Sequence, residues 1–262
     1  MVRTATTGWG DVATLAWIVG GVAGLVLFVF FEARVATNPL VALRIFHSRA
    51  VSTANLVMFL VGGSFFAMWY FLTFYYQYIL GYGAVKTGFA FLPMAVAIVG
   101  GAQLSSRLIG RFGVRHLLAA GTASATIGFL WIAMIGVHSP YETAILVPSV
   151  LCAFAIGLLF TPLATAATSG VDRADAGLAS GVLNASRQVG GSLALAALGT
   201  VAADRSASFA HPNSPVALVN GYQWAFHLSA GITLLALVVS LAVPHGRPET
   251  RVVAPPLVSP AE

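Results

Sequence analysis

The chain is short of charge. Only 8% of its 262 residues are Asp, Glu, Lys or Arg, whereas a soluble domain carries about 25%, so this sequence lacks the polar surface that water requires. Carboxylates are scarcer still. The eight are Asp11, Glu32, Glu142, Asp172, Asp175, Asp204, Glu249 and Glu262, and none sits deep in an apolar run, which leaves no paired carboxylates for catalysis and no acid to carry a proton through a membrane. A lone cysteine, Cys152, excludes a disulfide framework and a cysteine metal centre. Lys86 is the single lysine, and the arginines are scattered singly with no basic tract, which excludes nucleic acid as a partner. The histidines lie in or beside loops and read as structural. No serine or cysteine has an adjacent base, so no enzyme, metal or cofactor is expected.

What is abundant is apolar length. Hydrophobic residues make up 58% of the chain, and no extended run alternates with the period of a strand. Seven apolar segments are bounded by charge, Pro or Gly: A (12–31), B (51–79), C (87–106), D (116–137), E (143–166), F (176–202) and G (222–243). Each is long enough for a bilayer core about 30 Å thick. The expected fold is an all-α membrane protein of about seven transmembrane helices. Segment A is too long for a signal peptide and has no small-residue cleavage site behind it, so it stays. The proline-rich tail 244–262 reads as disordered and cytoplasmic. The preference for Arg, Ala, Gly and Val points to a GC-rich bacterial genome.

Orientation follows from the loop cations. Alternate loops hold Arg34, Arg44 and Arg49, then Arg107, Arg111 and Arg115, then Arg173, and finally Arg247 and Arg251; the opposite side holds Arg3, Lys86 and Arg205. Positive residues stay inside, which predicts an outer N-terminus and a cytoplasmic C-terminus.

Three segments carry patterns beyond topology. The C–D loop runs Ser106-Arg107-Leu108-Ile109-Gly110-Arg111-Phe112-Gly113-Val114-Arg115-His116; it reads either as a gating turn or as plain positive-inside topology. Segment F carries Asn184, Arg187 and Gln188 on one face. Arg187 either faces protein and a water-filled cavity or snorkels toward the interface. Gly177 with Gly181, and Gly190 and Gly191 ahead of Ala194, have the small-residue spacing of close helix contact. On segment B, Asn55, Gly62, Phe66, Tyr70, Thr73 and Gln77 recur near the helical period. They form an aromatic and weakly polar wall suited to lipophilic ligands, while Trp69, Tyr75, Tyr76 and Tyr78 read equally as an interfacial belt. Segment E holds Pro148, Gly157 and Pro162 and reads as a bending helix or a static kink, with Pro93 in C of the same kind.

The run from Asn184 to Gly191, the arginine turn, and Asn38-Pro39-Leu40-Val41-Ala42-Leu43-Arg44-Ile45-Phe46 together resemble the major facilitator superfamily, and more narrowly its fourteen-helix drug:proton antiporters of the EmrB/QacA type. The turn departs from the family pattern at Gly110 and His116, where an acidic and a second basic residue are usual. The resemblance implies a linker helix and loop (1–50), a C-terminal six-helix transporter bundle (51–243) and the tail. Segments B and E would line the cavity, adding Ser149 and Cys152 to the candidates on B, and C and F would face the other half. The implied function is proton-coupled efflux of lipophilic small molecules by alternating access, across a bacterial inner membrane. The implied partners are the bilayer, the substrate, protons and an N-terminal half that supplies the coupling carboxylate, without which the chain is incomplete and inactive. The alternatives are one chain of a split transporter and an accessory or scaffold subunit.

Overall fold

The computed structural model describes residues 12–34, 43–171 and 175–243. The tail 244–262, with Arg3, Arg173, Arg247 and Arg251, lies outside the described residues. Among the described residues every regular element is helical: α1 (Val12–Arg34), a 3-10 turn (Leu43–His47), α2 (Arg49–Phe74) with a π-helical turn (Tyr75–Ile79), the short α3 (Ala84–Ala90), α4 (Leu92–Ile132), a second π turn (Tyr141–Leu146) leading into α5 (Val147–Thr168), α6 (Ala176–Ala207) and α7 (Pro215–Ser240).

Helix α4 is 41 residues long, and unbroken it would reach about 60 Å, twice the bilayer core. Gly113 breaks it, with φ 77° and ψ 171°, a conformation that an L side chain resists. The limb before the break runs parallel to α5. Ser105 Oγ donates to the Leu158 carbonyl at 2.8 Å, Ser106 Oγ lies 3.2 Å from Thr161 Oγ1, and Gly101 presses on the Phe154 carbonyl. The limb after the break runs antiparallel to the same helix, with Gly121 on Leu159 and Gly128 on Cys152 and Pro148. The two limbs are therefore the antiparallel segments C and D.

Similar pairings fix the other directions. Asn55 meets Ser186 and Gly63 meets Ala194, so α2 and α6 run parallel. Ser64 Oγ donates to the Ser229 carbonyl at 3.3 Å and Phe71 packs on Tyr222, so α7 opposes α2. From α2 onward the described chain is an up-and-down bundle of six, counting the α4 limbs separately. Its core holds Phe65, Met68, Phe71, Leu72, Tyr75, Tyr76, Phe129, Ile132 and Phe226, all 2% exposed or less. Helix α1 exposes Trp17, Val22, Leu27 and Phe30.

Four helical runs among the described residues are long and apolar enough to cross a bilayer: Arg49–Ile79, Ala84–Ile132, Tyr141–Thr168 and Pro215–Ser240. The chain is an all-α membrane protein. Helix α6 is not among the four; its 32 residues are diluted by Asn184, Arg187, Gln188, Asp204 and Arg205. Helix α7 starts well before the expected 222, because Ser214 Oγ caps the Ala217 N–H at 3.3 Å and Pro215 fits a first turn, where no N–H is needed. Pro93 and Pro148 likewise stand in first turns. Only Pro162 interrupts the interior of α5, and Gly157 serves close contact with Ile98.

Candidate functional site

An open cavity of about 540 Å³ lies where the end of α2 meets α6 and the start of α7. Its wall is aromatic: Tyr70, Phe71, Phe74 and Tyr78 from α2 and its π turn, and Tyr222 from α7. Phe74 stacks on Tyr78 at 5.5 Å and meets Tyr70 at 4.6 Å. Asn213 and the small residues Gly199, Ala202 and Ala203 complete it. A volume in the 300–1,000 Å³ range with a few polar groups on apolar walls suits a small lipophilic molecule. At the same end of the bundle Arg205 stacks over Trp224 at 4.0 Å.

The expected cavity residues divide. Tyr70 lines this cavity. Phe66 is 38% exposed and packs beside Gly191; Gln77 is exposed; and Thr73, half-buried, donates to the Trp69 carbonyl at 2.8 Å. Asn55, Ser149 and Cys152 are buried between helices instead. Asn55 Nδ2 donates to the Val51 carbonyl at 2.9 Å and its Oδ1 accepts from Ser186 Oγ at 2.8 Å, which ties α2 to α6. Cys152 fits against Gly128, and the Ser149 hydroxyl is buried. Small and weakly polar side chains serve helix contact as well as cavities, so residue type could not separate the two. Tyr75 and Tyr76 are fully buried, with Tyr75 donating to the Gly136 carbonyl at 2.7 Å. They continue the buried face of Met68, Phe71 and Leu72 at spacings of three and four, so position near the outer end alone did not make them a belt. Phe71, Phe74, Tyr78, Asn213 and Tyr222 were not expected in a cavity; the unrecognised Ser214-Pro215 start of α7 hid the last two.

Helix α6 has two faces. Gly190 presses on the Phe59 backbone and Gly191 on the Phe66 ring. Gly177 and Gly181 meet no neighbour within 4 Å, because they share the exposed face of Asn184 and Gln188 rather than the buried face of Ala179, Leu183 and Gly190. Arg187 is half-buried against Gly62 of α2. Its Nη2 donates to Asn184 Oδ1 at 2.7 Å, while its Nε is buried without a partner.

At the opposite end from the cavity, the Gly113 break carries exposed Arg107 and Arg111 and half-buried Arg115. The Arg111 guanidinium lies 5.5 Å from the Phe112 ring, and His116 Nδ1 sits 2.8 Å from the Phe112 carbonyl oxygen. Among the described residues no three His, Cys, Asp or Glu side chains gather as metal ligands.

The family model of the Major Facilitator Superfamily matches residues 4–195. The chain belongs to the major facilitator superfamily. Among its relatives, a cephamycin export protein of Amycolatopsis lactamdurans is 39% identical over 92% of this chain and 48% of its own length. A puromycin resistance protein of Streptomyces alboniger is 34% identical over 94% of this chain and 50% of its own. A tetracenomycin C resistance and export protein of Streptomyces glaucescens is 32% identical over 78% and 38%. The chain spans about half the length of the first two relatives. The arginine turn and the α6 stripe therefore lie on a bundle of the major facilitator superfamily.

Proposed function

We propose that this chain forms one half of a proton-coupled exporter of lipophilic small molecules, built like the fourteen-helix branch of the superfamily and working by alternating access. The alignment of nearly the whole chain with about half of each of two export and resistance proteins carries the reading. The bundle from α2 to α7 is one repeat. A second repeat supplies the facing wall, since substrate sites of such carriers lie between repeats near the midplane. The described carboxylates Glu32, Glu142, Asp175 and Asp204 all lie near helix ends, so the coupling acid belongs to that second repeat.

The protein resides in a bacterial inner membrane with the Gly113 turn in the cytoplasm. Arg49, Arg107, Arg111 and Arg115 cluster at that end, against Lys86 and Arg205 at the other, as the positive-inside rule requires. The aromatic cavity then opens outward and serves as an exit vestibule, and α1 is a linker span. Binding tests the vestibule. A lipophilic fluorescent cation should bind the purified chain, and Tyr70→Ala with Phe74→Ala should weaken it about tenfold, each ring contributing roughly 0.5 to 1.5 kcal/mol. Binding unaffected by the double substitution would contradict the assignment.

A further inference from the structure

Arg187 lies within the apolar length of the bundle, on the face of α6 that meets α2. At about 1.5 Å per residue, its contact partner Gly62 is about 20 Å along α2 from Arg49, and Arg187 itself is about 17 Å along α6 from Ala176. Along α6, of 32 residues, that is about a third of the way, and along the 31-residue run of α2 a little under half, so the Arg187 backbone lies inside the apolar length of both. The side chain lies over a narrow crevice between α2 and α5, lined by Met58, Ile156 and Phe160 among other apolar groups. A cation in apolar surroundings is costly unless it is paired. Yet among the described residues it has one hydrogen bond, from Nη2 to Asn184, and no ion pair. Nε is buried and unpartnered.

We infer that Arg187, held by Asn184, is the receptor for a carboxylate within the membrane. A guanidinium offers paired N–H donors in a planar fork matched to the two oxygens of a carboxylate. Here Asn184 fixes one arm of the fork and leaves donors over for the ligand. Such pairing removes the unpaired charge that the bundle otherwise holds in apolar surroundings. This rests on the export reading in choosing an organic acid as ligand; a carboxylate of the facing repeat has the same chemistry, and the two sources are separable.

The test uses the purified 262-residue chain in nanodiscs of zwitterionic lipid, with a dansylated long-chain fatty acid and its methyl ester as probes. The acid should bind at least tenfold more tightly than the ester. Arg187→Gln should bring the acid down to the ester's affinity while leaving the ester unchanged, which also verifies folding, and Arg187→Lys should retain part of the preference. Equal binding of acid and ester by the unaltered chain, or a preference that survives Arg187→Gln, overturns the inference. Neither readout involves transport, so such a failure leaves the export reading standing. The same pair of probes is then applied to the assembled protein isolated from native membranes. A preference present there assigns the carboxylate to the substrate, and one lost on assembly assigns it to a protein partner already seated on Arg187.

Discussion

Glycine has two opposite roles on α6. A Cβ at Gly190 would strike the Phe59 backbone, which cannot yield, while one at Gly177 meets nothing. Gly190→Val should therefore destabilise the bundle by about 1 to 3 kcal/mol through overpacking, and Gly177→Ala should stabilise α6 by about 0.5 to 1 kcal/mol. Thermal unfolding of the purified variants in one detergent measures both, and equal effects would contradict the face assignment. This pair also marks what the sequence reveals at the scale of a residue. Spacing placed Asn184, Arg187 and Gln188 on one face, since residues three and four apart share it, without choosing which of them Arg187 meets. It did not separate Gly177 from Gly190, because small-residue spacing is the same on both faces and only the neighbouring helix decides which is buried. Asn55 and Cys152 illustrate the same limit: their chemistry suits a cavity wall, but their positions serve the seams between α2 and α6 and between α5 and α4.

At the scale of elements, helix breaks carry the architecture. The run Ala84–Ile132 is continuous by length, and only Gly113 with its positive φ turns it into two opposed spans. Gly113→Ala should cost about 1 kcal/mol or more in stability. The direction of the first limb is tested by cysteines at Ser106 and Thr161, whose hydroxyls are 3.2 Å apart, in a Cys152→Ala background. Oxidation should link them within one chain, and no link under conditions that oxidise exposed thiols would refute the parallel pairing with α5. Segments B to E were legible because charge or glycine punctuates them. The π turn Tyr75–Ile79 was not, since the widened bonds from Leu80 to Tyr75 and from Tyr82 to Tyr76 leave no compositional mark.

For the whole molecule, sidedness comes first. Gly110 and Ala210 are exposed at opposite ends of the bundle, so with Cys152 replaced, an impermeant thiol reagent on intact cells should label Ala210→Cys and spare Gly110→Cys. The positive-inside rule predicts that outcome, and the reverse would invert the orientation. The central claim is the proposal that transport needs a second repeat to face this one, since the described carboxylates all lie near helix ends and offer no coupling acid within a span. The direct measurement is reconstitution of the purified chain in liposomes, with insertion verified, an imposed proton gradient and a lipophilic fluorescent cation inside or out. The account predicts gradient-driven dye movement no greater than in empty liposomes, although the dye binds. Movement well above that background by the chain alone would contradict it and make this bundle a self-sufficient carrier, assembled from two copies of itself.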